Sequence, residues 1–363
     1  MANYAASVLA KGQAVVEAKY GSYEQRRQMP TVMELALKNQ KISIPDAQAL
    51  RVSPLRTVDV NYLNNIAAGS ATAKVAAHTG TYGDSSVINV VYVTHVETFS
   101  LPRKLAYNNI YGYQELFNNL YEMKWKNLRT RHDNSALAFL IANRCQLSAA
   151  TINAATASAN AGNWSDANLA LEIDSANKAM LVQYLKSFML ARYFSGPYDI
   201  IPDLQLSRLI EFYMQQGSGN YSNTSFQFSE AGITPTQQII SSAYTQGAAL
   251  IMPQGTLAGL VWNEGLNKAG VNAGENSVGN LGTVNDPLSG IGFNVDGSGK
   301  EAFSGAVADI SMYTARADTS ANGTGGSTQD IVDQWELTLT IGYVAPPLST
   351  SNDSVIHLAG LLS

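Results

Sequence analysis

The sequence predicts an α+β chain. Residues 107–146 carry apolar side chains at helical spacing over an unusual length, with Ile110, Tyr113, Phe117, Leu120, Tyr121, Met123 and Leu128 continued by Ala136, Leu137, Phe139, Leu140 and Ile141. Residues 54–99 read as a long β-hairpin, and residues 330–344 alternate, with Trp335, Leu337, Leu339 and Ile341 on one face. The chain has 363 residues, a length that fits about two domains and lets roughly three quarters of the unfolded surface be buried. It needs no disulfide or metal for stability.

Composition narrows the function classes. Hydrophobic residues are 45% but charged residues only 14%, against a usual ~25%. Disorder needs the opposite balance. A surface short of charge is a surface meant to be covered, by glycan, membrane or other subunits. No apolar run approaches the ~20 residues of a spanning helix, and the first residues lack the basic and apolar regions of a secretory signal. The sequons at Asn163 and Asn223 are therefore read as chance. The single cysteine, Cys145, allows no internal disulfide and sits in an apolar helical stretch as a buried thiol. Charge is split along the chain. Residues 1–150 carry 16 basic and 10 acidic side chains, the remainder 7 and 18. A basic half and an acidic half favour head-to-tail attraction between copies.

From the start, residues 1–50 read as an arm with short helical pieces, around Ala5 to Val16 and after Pro30. The polar stretch 20–29, with Arg26 and Arg27, has no local core and would be ordered by lying on something. The hairpin's first strand covers 55–63, where Val58, Val60 and Tyr62 alternate with polar residues. The second covers 87–99 and includes Val91 and Val93. Their connection is far longer than a tight hairpin loop and contains Lys74. The long helix of 107–146 would extend roughly 50–60 Å. It is basic through Lys124, Lys126, Arg129, Arg131 and Arg144, and weak helix formers near His132 mark a potential break.

An Ala/Ser/Thr/Asn linker precedes a second helix over 168–193, a strand over 198–201 and a helix over 204–216. A short helix follows at about 235–243, with Thr234 and Pro235 at its start. Residues 248–262 have strand character around a Pro-Gln-Gly turn. Residues 264–330 read as mostly irregular, and 354–362 as a last apolar strand.

Motifs for catalysis are missing from the sequence. The four histidines, His78, His95, His132 and His357, have no metal-ligand spacing. His132 is expected on the surface and His95 half-exposed on a strand. The calcium-like loop beginning at Asn294 has Gly305 where a bidentate Glu belongs. The sequence around Gly297 and Lys300 fails the phosphate-loop pattern, and no nucleophile elbow or carboxylate pair stands out. No catalytic, cofactor or metal residue is assigned. With a sequence pI of 5.4, sequence-specific nucleic-acid binding is not expected, although the basic helix leaves non-specific phosphate contact open.

The order of arm, long hairpin, long basic helix, mixed middle and C-terminal strands resembles the major capsid protein of tailed bacteriophages, the Hong Kong 97-type fold. The residues that carry it are the strands Val58–Leu63 and Val87–Phe99, the helix from Ile110 to Arg144, the strand–helix unit from Tyr198 and the strands from Gln329 to Leu362. The resemblance implies an arm over 1–53 and an extended β-hairpin loop over 54–102. It implies a spine helix with the first part of the peripheral domain over 103–165, an axial domain over 166–328 and C-terminal peripheral strands over 329–363. It implies a shell subunit enclosing double-stranded DNA in hexamers and pentamers, with scaffolding, portal and decoration proteins as further partners. The location would be the virion, with assembly in the host cytoplasm and no membrane.

Encapsulin-like shells share the fold, and they or a tail component are the alternative. The inter-subunit contacts it suggests are Arg26, Arg27, Val58, Val60, Tyr62, Lys74, Val91, Val93, Lys124, Lys126, Arg129 and Arg131. In some relatives a loop lysine bonds covalently to a neighbour's asparagine. Lys74 and Asn352 are the residues on offer, no motif ties them to that role, and no crosslink is expected. The loop begins by about residue 55, so a separate scaffolding protein, or none, is expected rather than a long coiled-coil prodomain.

Overall fold

The structure, a computed structural model, describes residues 2–20, 32–39, 58–63, 85–90, 92–103, 112–148, 163–192, 194–217, 231–263, 277–288, 294–295, 301–302, 306–318, 329–346 and 354–362. Its organising element is α3, Tyr113–Ala142, a single helix of 30 residues and about 45 Å. Glu115 accepts a hydrogen bond from the Gly112 N–H at 3.1 Å and fixes its start. Phe117, Tyr121, Trp125, Leu128, His132, Ala136 and Leu140 recur every three or four residues and form one buried stripe. The weak helix formers at 132–135 do not break it. Asp133 turns its carboxylate to the Met33 N–H of a neighbouring helix, and Ser135 donates to the Arg131 carbonyl.

That stripe lies on a five-stranded sheet. Its strands are β3 (Tyr92–Pro102), β9 (Ala258–Trp262), β10 (Ser277–Asn285), β13 (Val307–Asp318) and β14 (Gln329–Val344), in the order β10-β13-β14-β3 with β9 on β14. The 16-residue β14 runs between β13 and β3, and its end pairs with β9. The expected alternation holds: Trp335, Leu337, Leu339 and Ile341 are all buried. Phe99, Phe117 and Trp335 interlock where sheet and helix meet, with Trp335 edge-on to Phe117 at 4.7 Å.

Two N-terminal helices pack on the same core. In α1, Ala2–Tyr20, the residues Ala5, Val8, Leu9, Gly12 and Val16 face α3. A Cβ on Gly12 would stand 2.4 Å from the Phe117 ring, so glycine is what lets the helices approach. In α2, Val32–Lys38, five residues are buried against α3 and β9. These helices therefore dock on their own subunit, whereas residues 21–29 of the polar stretch expected to be ordered by lying on something are outside the described residues.

A six-stranded sheet forms the second layer, in the order β4-β5-β15-β8-β6-β7: β4 (Asn163–Ser165), β5 (Ala170–Ile173), β6 (Tyr198–Pro202), β7 (Ala231–Ile233), β8 (Ala248–Pro253) and β15 (His357–Leu361). Successive β8 residues serve two cores. Ala248, Leu250 and Met252 join the main one, while Ala249 and Ile251 join a second core under α4 (Leu181–Ala191) and α5 (Leu204–Gly217). Burial on both faces explains the unbroken apolar run there. From β8 the chain turns at Gly255 (φ 86°) and enters the other sheet as β9, so the two strands belong to different sheets.

Several expectations change. The second hairpin strand is two strands: β2 (Ser85–Val90) pairs with β1 (Val58–Leu63), and β3 joins β14. The helix expected over 168–193 begins as strand β5, passes through a 3-10 turn at Ser175–Met180 and becomes α4 only at Leu181. Leu171 and Ile173 fit a strand as well as a helix, and parallel pairing with β15 decides between them. Residues 235–243 are turns rather than a helix. The stretch read as irregular contains β10 and the 12-residue β13, and β11 (Asn294–Val295) pairs with β12 (Glu301–Ala302). The two C-terminal strands lie in different sheets. His132 is fully buried, where the sequence placed it on the surface, whereas Cys145 is buried as expected.

Candidate inter-subunit surface

The suggested contact residues divide into three groups. Arg26, Arg27, Lys74 and Val91 lie outside the described residues, as does Asn352. Val58, Val60 and Tyr62 lie on β1, in register with Val90, Ile88 and Ser86 of β2. This ribbon is a separate two-stranded sheet. Its inner end is anchored where the buried Val90 side chain packs on Gly342 of β14. Val93 is not in the ribbon; it is half-buried on β3 opposite Ile341.

The third group is the basic face of α3, and the structure pairs all four of its predicted members inside the subunit. Lys124 donates to Glu97 at 2.9 Å, and Arg131 reaches the same carboxylate at 3.2 Å. Lys126 pairs with Glu122 at 2.7 Å, one turn away, and Lys19 of α1 meets Glu122 at 2.8 Å. Arg129 is 5% exposed and holds Asp286 at 3.1 Å and Glu34 at once. It thereby ties α3 to the end of β10 and to α2. Burial alone would lower the Arg129 pKa, but Asp286 and Glu34 hold it above the ordinary value. Burial raises Glu34, against the pull of Arg129, and raises Asp133. Arg129 is therefore an internal tie within the subunit. No local sequence signal could have shown this, because Asp286 is 157 positions away.

Two further polar clusters went unrecognised in the sequence. Asp333 is fully buried and accepts from Arg103 (3.0 Å at Nε), Tyr113 (2.9 Å) and Thr314 (3.2 Å), which clamps the start of α3 to β14. His132 donates from Nε2 to the Leu339 carbonyl at 3.0 Å, and the Tyr343 hydroxyl lies 3.3 Å from its Nδ1. Burial, reinforced by His95, lowers the His132 pKa to about 3, so the ring is neutral. Among the described residues no group of three or more His, Cys, Asp or Glu is arranged to hold a metal ion, and no helix is long and apolar enough to cross a membrane.

Comparison with known proteins finds no matching family model and no matching curated protein. Among solved structures, the chain is similar to one from Mycobacterium phage Che8, at 9% identity over 92% of each chain with a TM-score of 0.49. It is also similar to the capsid structure of the cyanophage P-SCSP1u, at 9% identity over 85% of this chain and 84% of that one with a TM-score of 0.41. The capsid asymmetric unit of cyanophage Pam1 gives 9% identity, 86% coverage of each chain and a TM-score of 0.42.

Proposed function

We propose that this chain is the major capsid protein of a tailed bacteriophage, a structural subunit that self-assembles into an icosahedral shell around double-stranded DNA. The observation that carries the reading is the β1–β2 ribbon. A two-stranded ribbon is marginal in water by itself, and its outer edges have no third strand among the described residues. Unpaired edges are templates for another chain. A ribbon that ends at Val90, just before the main-sheet strand that starts at Tyr92, beside a 30-residue spine helix, matches the extended loop and spine of the Hong Kong 97-type resemblance. The low charge supports the same reading, since subunit exteriors become interfaces.

On this reading the arm covers 1–53 and the loop runs from 54 to the change of sheet between Val90 and Tyr92. The spine with its five-stranded sheet makes the peripheral domain, and the six-stranded sheet, including β15, makes the axial domain. Copies gather as hexamers and pentamers, with scaffolding, portal and decoration proteins as further partners and non-specific contact with packaged DNA. Assembly takes place in the host cytoplasm, and the assembled protein resides in the virion.

Electron microscopy and sedimentation of the purified protein across salt, pH and crowding conditions test this. Closed shells are expected. Only monomers or small closed oligomers under every condition would overturn it, and particles from infected cells that hold an enzyme cargo instead of DNA would point to an encapsulin-like compartment.

A further inference from the structure

An open groove of about 400 Å³ lies between α5, the 3-10 turn before α4 and the end of β15; its lining includes Lys178, Gln205, Arg208, Phe212, Gln246 and Leu361. The inner face of α5 is committed to the second core through Leu206 and Ile210. Its outer face carries Leu204, Arg208 and Phe212 at successive i+4 positions, and Phe212 is 51% exposed. Met180, beside the same turn, is 48% exposed. An amphipathic helix with apolar residues on its solvent side as well offers a second docking face.

Charge identifies the occupant. Residues 151–363 carry only 7 basic side chains against 18 acidic ones. The basic side chains described in that part are Lys178, Lys186, Arg192 and Arg208. Lys186 and Arg192 have partners within the chain, Arg192 donating to His357 at 3.1 Å. Lys178 and Arg208 have no ion-pair or hydrogen-bond partner among the described residues, and both line this groove. On the same part of the chain, the exposed carboxylates of Asp174 and Glu211 have no cation opposite them among the described residues. The surface thus presents two cations without an ion-pair partner in the groove and two such acids on the same elements, Asp174 four residues before Lys178 and Glu211 three residues after Arg208. That is the complementarity of a heterologous, ring-closing contact between identical chains.

We propose that this groove is a socket between copies, in which Lys178 and Arg208 receive an acidic segment from residues 151–363 of a second copy of this chain. The inference rests on the shell reading and names the surface through which neighbours in one ring recognise each other.

The test compares wild type with the double variant K178E/R208E. Both side chains are exposed, so the melting temperature should stay within about 2 °C, as for surface substitutions. Particle yield in sedimentation should fall at least about tenfold, because like charges would now face each other. In parallel, a photo-crosslinking amino acid at exposed Gln205 in assembled particles should capture a second copy within residues 151–363, located by mass spectrometry. This arm does not depend on how the charge-reversed protein folds. Capture of residues 1–150, of DNA or of another protein would overturn the inference. Equal yields from wild type and the double variant would overturn the inference alone. Wild-type protein that never assembles would overturn the shell reading and this inference with it.

Discussion

Arg129 shows why one residue can look like a surface contact in sequence and be a structural tie in space. It lies among Lys124, Lys126 and Arg131, yet its turn of α3 faces inward and Asp286 and Glu34 converge on it. Arg129→Met leaves the nearly inaccessible Asp286 carboxylate without its cation, which should cost about 3–5 kcal/mol in urea denaturation. Adding Asp286→Leu should recover part of that loss; no recovery would show that the pair is uncoupled. His132 was misread for a related reason, since Arg131, Asp133, Asn134 and Ser135 make its neighbourhood look solvated. Burial holds His132 and His357 at pKa values of about 3, His357 also beside Arg192. An unfolded histidine titrates near ~6.5. The unfolded chain therefore binds more protons through that window, and the stabilising contribution of each neutral ring is lost as pH falls from about 6.5 towards 3. Raised carboxylates such as Glu34 and Asp199 act in the opposite sense, so the variant has to be compared with wild type at each pH. His132→Gln, which keeps an N–H for Leu339, should lose less stability than wild type between pH 6 and 4. Parallel curves would refute the assignment.

Elements were legible where one physical signal dominated. The α3 stripe, the alternation of β14 and the β6–α5 unit are strong single-period patterns, and the structure keeps them. Strand β10 was not legible because its sequence, SVGNLGTVN, is rich in residues that disfavour strands. It exists through pairing with β13, with register irregularities at Ser277/Gly279 and Asn280/Gly282. The change of partner between Val90 and Tyr92 was also invisible, because both halves of the run are β-branched and only the presence of β14 separates them. Helix α1 shows what the sequence hints at but cannot locate. Its Ala, Val and Leu positions predict a helix, but the receiving surface is the Phe117 ring, which is fully buried and stacked on Tyr121 at 5.5 Å. Gly12→Ala should therefore be destabilising despite alanine's better helix propensity. Overpacking costs about 1–3 kcal/mol and the propensity gain offsets at most ~1. Calorimetry should show a lower melting temperature; a higher one would mean that α1 does not dock on Phe117.

Across the whole molecule, the charge division seen in the sequence acquires a different location. The candidate contacts Lys124, Lys126, Arg129 and Arg131 are matched by Glu97, Glu122, Glu34 and Asp286 within one subunit. The basic excess of residues 1–150 lies instead in the segments 21–31, 40–57, 64–84 and 104–111, which hold Arg26, Arg27, Lys41, Arg51, Arg56, Lys74 and Lys104 against Glu24, Asp46 and Asp84. If the basic excess of residues 1–150 also attracts other copies, beside Lys178 and Arg208 of the socket, the arm and loop segments provide its cations and the spine does not. Two double variants separate these alternatives. Arg26→Gln with Arg27→Gln should leave the monomer's melting temperature unchanged and reduce particle yield at low salt. The wild-type yield should itself fall as salt rises from about 0.05 to 0.5 M and screening shortens to a few ångströms. Lys124→Gln with Arg131→Gln should do the reverse. It leaves Glu97, whose side chain is 9% exposed, without a cation. The expected loss is about 1–3 kcal/mol of monomer stability, with assembly per folded subunit unchanged. If the spine variant abolished assembly while remaining folded, and the arm variant assembled normally, the basic contact would belong to the helix after all.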